Sequence, residues 1–167
     1  MKTRRTAAEA VAEIGDGATV LIGGFGGAGA PVELIHALID HGARDLVVVN
    51  NNAGTGNVGL AALIAQKRVR KLICSFPRSS DPRAFHELYA AGGIELELVP
   101  QGTLAERLRA GGAGVRAFYT RTSAGTPLAE GKEVREFDGL PHVLEPWLKG
   151  DFALVKEQFA RALGFMI

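Results

Sequence analysis

The chain has 167 residues, a formal net charge of +1, 47% hydrophobic and 22% charged residues, and a single cysteine. This is the size of one domain with enough apolar content for a core, and the near-zero charge gives no electrostatic case for nucleic acid or a membrane surface. No apolar run reaches spanning length, the acids Glu9 and Glu13 after the basic start spoil a signal-peptide reading, and a lone Cys74 excludes an internal disulfide and suits a reducing compartment, so a cytoplasmic protein is expected.

In chain order, residues 6–14 place Ala7, Val11 and Ile14 at helical spacing. A short apolar strand, residues 19–22, runs into Gly23-Gly24-Phe25-Gly26-Gly27-Ala28-Gly29-Ala30-Pro31, and Pro31 opens a helix over 32–41. Residues 46–50 are Val-rich and uninterrupted, as a strand buried on both faces should be. A helix over 58–66 follows, then a strand over 71–74 that ends at Ser75-Phe76-Pro77, and a helix from Pro82 to about Ala91. Ile94-Glu95-Leu96-Glu97-Leu98 alternates apolar and acidic residues and reads as a strand near a sheet edge, and residues 104–110 read as a short helix. Repeated βα units of this length predict a three-layer α/β/α, mostly parallel sheet.

After Gly111 the texture changes. Gly111-Gly112-Ala113-Gly114 reads as flexible, and residues 120–126 are polar. Residues 133–137 and 142–144 flank Asp138-Gly139, a favoured turn pair, which predicts a small β-hairpin inserted into the α/β frame. Residues 152–155 read as one more buried strand, and no linker or internal repeat divides the chain.

In such sheets ligands gather at the carboxyl ends of the strands. The segments expected there are the glycine loop, Asn50-Asn51-Asn52-Ala53-Gly54, Ser75-Phe76-Pro77-Arg78 and Pro100-Gln101-Gly102. Glycines let a backbone approach a ligand closely and leave N–H groups for negative charge. Amides, glycines and one arginine with few carboxylates suit an acyl group and its oxyanion, and do not suit a divalent metal. The histidines, His36, His41, His86 and His142, show no metal-ligand spacing.

The pattern from Asp16 through Pro31 resembles the first signature of the class I CoA-transferases. Further stretches match their A (alpha) chains: Asn51-Asn52-Ala53-Gly54, Val99 through Arg107, Arg109 through Gly114, Ala117-Phe118-Tyr119-Thr120, Val134-Arg135-Glu136-Phe137 and Gly150 through Lys156. The chain is thus similar to the A (alpha) subunits of 3-oxoacid and 3-oxoadipate enzymes, whose fold is the CoA-transferase (NagB/RpiA-like) sheet. Ser75-Phe76-Pro77-Arg78 leans toward the 3-oxoadipate branch, and Arg135-Glu136-Phe137-Asp138-Gly139 toward the acetoacetate branch. The resemblance implies a ping-pong transfer of CoA from succinyl-CoA to a 3-oxo acid, with coenzyme A as substrate, no permanently bound cofactor and no metal. It places the nucleophilic glutamate in a partner, the B (beta) subunit, within a Ser-Glu-Asn-Gly motif that this sequence lacks. A hetero-oligomer, turning over only with the B subunit present, is expected. The resemblance sets Gln101, Asn51 and Asn52 beside that glutamate, and Phe25 and Gly26 in the acyl pocket; Gly24 and Gly27 of the same loop are expected to bind the substrate with them, and Arg78, on the same rim after the third strand, is expected to grip a second carboxylate of the acyl group.

The expected CoA-transferase domain covers residues 1–156. Residues 157–167 do not match, and the family continues further, so the domain is expected to be incomplete at that end. Residues 120–126 also depart from the family's Thr-Pro-Thr-Gly-Tyr-Gly-Thr. A catalytically inactive interaction subunit is one alternative. A dinucleotide-binding domain is another, since Gly24, Gly26 and Gly29 satisfy Gly-Xaa-Gly-Xaa-Xaa-Gly after a strand. Against it, the second strand ends in asparagines where that motif wants an acid.

Overall fold

A computed structural model describes residues 6–156; the basic start 1–5 and residues 157–167, the segment expected not to match, lie outside the described residues. Its centre is a five-stranded, all-parallel sheet in the order β4-β3-β2-β1-β8. The strands are β1 (Thr19–Ile22), β2 (Leu46–Val49), β3 (Val69–Cys74), β4 (Glu95–Leu98) and β8 (Phe152–Leu154). β2 is buried along its whole length, as its Leu-Val-Val-Val run requires of a central strand covered on both faces. β4 sits at one edge with Glu95 and Leu98 exposed, which accounts for its alternating acids.

Side chains alternate across the pleat, so the two faces have separate cores. Val20, Ile22, Val48, Leu72 and Cys74 face a layer of helices. That layer is α1 (Ala7–Val11), α2 (Val32–His41), α3 (Gly59–Ala65) and α4 (Arg83–Ala90), packed in chain order. Ile35, Leu38, Leu63, Ile64 and Phe85 are their buried contributions. The first helix is shorter than its apolar spacing predicts; Thr6 caps it by accepting from the Glu9 N–H at 3.1 Å. The opposite face, Val47, Val49 and Ile73, is covered by α5 (Gln101–Ala113) through Leu104 and Leu108, with Leu148.

Two expectations are corrected around α5. The helix begins at Gln101, not Leu104, and it runs through Gly111 and Gly112 to Ala113, ending at Gly114. The glycines expected to be flexible are therefore helical: Gly111 and Ala110 are buried there, and side-chain packing outweighs the low helix propensity of glycine.

The expected hairpin forms one part of a three-stranded antiparallel sheet, in the order β5-β7-β6, comprising β5 (Ala117–Thr120), β6 (Val134–Phe137) and β7 (Leu140–Pro146). The β6–β7 turn is Asp138-Gly139, both at positive φ (52° and 72°), the geometry of the tightest hairpin turns. Glu145 of β7 is fully buried and pairs with Lys132 at 2.6 Å.

A charged knot ties the two sheets to α5. Glu97 of β4 accepts from Lys71 of β3 and from Arg107 of α5, each at 2.7 Å. Arg107 also donates to the Pro146 carbonyl at 2.9 Å. Burial of Glu97 is the largest single influence on its carboxyl and opposes ionisation, but the hydrogen bonds and charges of Lys71 and Arg107 together outweigh it, so its pKa lies below the usual glutamate value.

Candidate functional site

The carboxyl ends of β1, β2 and β3 converge on a cleft of about 590 Å³. After β1 the glycine loop folds back on itself: the Phe25 N–H donates to the Ala28 carbonyl at 2.9 Å and the Ala28 N–H to the Phe25 carbonyl at 3.1 Å. Gly26 and Gly27 form the tip, and Phe25 is left 67% exposed above the cleft. Gly24 is at φ 121°, where a Cβ would meet the Ala30 backbone at 3.1 Å. The hairpin closes at Ala28 and α2 opens at Val32, so Gly29, the last glycine of the dinucleotide spacing, lies outside the helix and not within its packing.

The loop after β2 forms the floor. Asn50, 7% exposed, donates to the Ile22 carbonyl at 2.7 Å and accepts from the Asn52 N–H at 2.9 Å. Asn51 donates to the Ser75 hydroxyl at 2.8 Å, and its carbonyl accepts from the Phe76 N–H at 3.0 Å. Asn52, 4% exposed, accepts from the Gly54 N–H at 2.7 Å and reaches the Gly26 carbonyl at 3.5 Å. The three asparagines thus knit the ends of β1, β2 and β3 into one surface. Gly54 then packs against α3 so closely that a Cβ would lie 2.4 Å from the Ala61 nitrogen.

Of the residues singled out in the sequence, Phe25, Gly26, Gly27, Asn51, Asn52 and Arg78 all line this cleft. Gly24 does not line it and acts on the loop's shape instead. Gln101 lies elsewhere: it is the first residue of α5, exposed, in a neighbouring cleft of about 370 Å³ with Leu104, Leu108 and Ala153. The two clefts share a wall made of Ile22, Gly23, Asn50 and Asn51. Gln101 makes no side-chain hydrogen bond among the described residues, so its carboxamide N–H remains free to donate, whereas those of Asn51 and Asn52 already have partners.

Sequence reasoning placed Asn50 in the amide loop without giving it a role, and passed over Thr55 and Ser79. Asn50 left a signal, a polar residue closing an apolar strand; Thr55 and Ser79 line the cleft without one. No glutamate lines either cleft among the described residues. Glu106 pairs with Arg109 on the surface and Glu145 with Lys132 inside the second sheet. Cys74 ends β3 beneath the site, and burial pushes its thiol up to about 11, against a smaller opposing bond from the Phe76 backbone. Among the described residues no group of three or more His, Cys, Asp or Glu is placed to hold a metal ion, and no helix is long and apolar enough to cross a membrane.

Comparison with known proteins identifies the family. Residues 4–164 match the family model described as Coenzyme A transferase. The chain is 59% identical over 155 residues to the A subunit of the 3-oxoadipate CoA-transferase of Pseudomonas putida, covering 93% of this chain and 67% of that one. It is 46% identical over 166 residues to the A subunit of a probable succinyl-CoA:3-ketoacid coenzyme A transferase of Bacillus subtilis, covering 99% and 69%. It therefore spans about two thirds of the length of these relatives. The fold is also that of an acyl-CoA transferase apoenzyme from Escherichia coli O157:H7, with a TM-score of 0.76 at 24% identity over 89% of this chain and 33% of that one. The chain belongs to the coenzyme A transferase family, as a homologue of its A (alpha) subunits.

Proposed function

We propose that this chain is the A subunit of a cytoplasmic 3-oxoacid CoA-transferase and that it shapes the acyl site for a nucleophile supplied by the B subunit. The observation that carries this reading is the pair of clefts that share the Ile22–Gly23 and Asn50–Asn51 wall, rich in amide donors and, among the described residues, without a glutamate. The 3-oxoadipate and succinyl-CoA:3-ketoacid relatives support it.

In that complex the partner's glutamate attacks the thioester carbonyl of succinyl-CoA. The carbonyl oxygen becomes an oxyanion, CoA leaves as the thiolate, and a mixed anhydride remains. The thiolate then attacks the glutamyl carbonyl, which releases succinate and forms a glutamyl-CoA thioester. A 3-oxo acid carboxylate repeats the steps in reverse and leaves as its CoA ester. Each step passes through an oxyanion, and neutral amide donors stabilise one without adding a competing charge. Gln101, with its free N–H groups, takes that role. Asn51 and Asn52 hold the wall against which the reacting carbonyl rests, and Gly26, Gly27 and Phe25 bound the acyl group. Coenzyme A enters as a substrate, and no resident cofactor is needed.

The test is transfer between succinyl-CoA and 3-oxoadipate by the purified chain, alone and after addition of a partner chain carrying the Ser-Glu-Asn-Gly motif. No turnover alone and turnover with the partner is expected. Robust turnover by the single chain overturns the division of labour. A stable complex that never turns over makes the chain an interaction subunit instead.

A further inference from the structure

Among the residues lining the larger cleft, one side chain carries a charge, Arg78. It is exposed and makes no hydrogen bond or ion pair among the described residues. Its nearest acid in sequence is already taken: Asp81 accepts from both Nε and an Nη of Arg83 at 2.8 Å. That bidentate pair lowers the Asp81 pKa, chiefly through its side-chain hydrogen bonds with Arg83. The backbone carrying Arg78 is pinned on both sides. The Phe76 N–H donates to the Asn51 carbonyl and the Gly56 N–H to the Asp81 carbonyl, each at 3.0 Å, so residues 77–80 arch over the cleft between two fixed points.

Ser79 lines the same cleft, and its Oγ is buried with no hydrogen-bond partner. A buried hydroxyl without a partner is unfavourable unless a ligand or water completes it. β1, β2 and β3 are consecutive neighbours in the sheet, and adjacent strands lie about 4.8 Å apart. The Arg78 loop and the Phe25 loop therefore stand about two strand spacings apart across the cleft, with the Asn51–Asn52 floor between them. Val32, Ile35 and Leu60 supply an apolar wall.

The geometry points to Arg78 and Ser79 as a subsite for a second, distal carboxylate on the acyl group, which makes the cleft selective for dicarboxylic 3-oxo acids over monocarboxylic ones. The inference rests on the acyl-transfer reading above. A guanidinium grips a carboxylate through two parallel N–H bonds, and the unpartnered Ser79 hydroxyl donates a third once rotation about its Cα–Cβ bond turns it from its buried position into the cleft. A monocarboxylic acid such as acetoacetate spends its carboxylate at the reacting end and leaves this subsite to water.

Two measurements test it on wild type, Arg78→Ala, Arg78→Lys and Ser79→Ala. One is kcat/KM for 3-oxoadipate and for acetoacetate in the complex with the B subunit. The other is calorimetric binding of 3-oxoadipate to the chain itself, since the subsite is built from this chain alone. Arg78→Ala is expected to lower kcat/KM for 3-oxoadipate about tenfold to a hundredfold, as loss of charged hydrogen bonds does, and that for acetoacetate by about twofold at most. Arg78→Lys restores part of the loss, and Ser79→Ala shows a smaller loss of the same selectivity. Binding of 3-oxoadipate weakens in the same order. Equal losses for both acids, or none for either, overturn the subsite. A wild-type complex that never turns over, with Arg78-dependent binding of 3-oxoadipate intact, overturns the transferase reading and leaves the subsite standing; absence of both overturns both.

Discussion

The carboxamide of Asn50 donates to the Ile22 carbonyl at 2.7 Å while its oxygen accepts from the Asn52 N–H at 2.9 Å. One buried side chain thus fixes the end of β1 and the start of the amide loop together. Asn50→Asp replaces the donor with an acceptor facing a carbonyl, and is expected to destabilise the fold by about 2–4 kcal/mol. Asn50→Ala, which leaves the Asn52 N–H without its acceptor, should cost about 1–3 kcal/mol. Urea unfolding at pH 7 measures both, and stability within experimental error of wild type for Asn50→Asp would contradict the pinning role.

Gln101→Ala removes the free amide donor of the second cleft. In the complex with the B subunit, kcat should fall about tenfold to a thousandfold, the range for loss of an oxyanion donor, with the melting temperature nearly unchanged because Gln101 is exposed. An unaltered kcat returns Gln101 to the ordinary residues of the α5 start.

Gly54→Ala tests the packing of the amide loop on α3. Its φ is 77°, and the added Cβ would lie 2.4 Å from the Ala61 nitrogen. Both the strained backbone and the clash predict a loss of about 2–4 kcal/mol, read as a lowered urea midpoint. A neutral effect would mean that the α3 start yields freely.

Glu97 sets an acid limit. Its folded pKa is lowered from the usual 4.5, so its contribution is present above about 4.5 and is lost as pH falls through the folded value. Glu97→Gln should lower stability at pH 7 by about 1–3 kcal/mol, because Arg107 keeps the Pro146 carbonyl but loses its charged partner. The difference between variant and wild type should shrink on acidification. Urea curves at pH 7 and pH 3.5 decide it; a gap that does not narrow argues against the lowered pKa.

Cys74 is fully buried, and its thiol pKa is raised to about 11. The thiolate is the reactive form, so the native protein should be inert to a thiol-specific chromogenic disulfide at pH 8 and react fully in urea. Rapid labelling of the native chain would place Cys74 at an accessible surface.

The sheet and its main helices were legible because their signals are local. Four Leu and Val residues in a row mark β2, and Pro31 and Gly42 bracket α2. The loops of the site were legible as loops for the same reason. The start of α5 was not, since Gly102 and Thr103 carry weak helix propensity and the helical state of this turn depends on packing Leu104 and Leu108 onto the far face of the sheet. The length of β7 and the joining of β5 to it were hidden too, because pairing between Phe118 and Glu145 is a tertiary matter. The separation of Gln101 from the Arg78 cleft likewise depends on which side of the sheet each loop turns toward, and the order of residues does not encode that directly.

β1 lies between β2 and β8, and the Asp151 side chain accepts the Thr19 N–H at 2.8 Å across 132 positions of chain. During synthesis β1 can find β2 early, but its other edge keeps its backbone groups unpaired until the region of residues 151–154 emerges. Contacts this distant form late and slowly, and an open strand edge is a site of mispairing in the interval. The Gly23 N–H, at the mouth of both clefts, finds its partner in the Leu154 carbonyl at 2.9 Å. Ligand-binding competence should therefore arrive only with the closing strand, and a nascent chain halted before it would carry the whole glycine loop without a formed site.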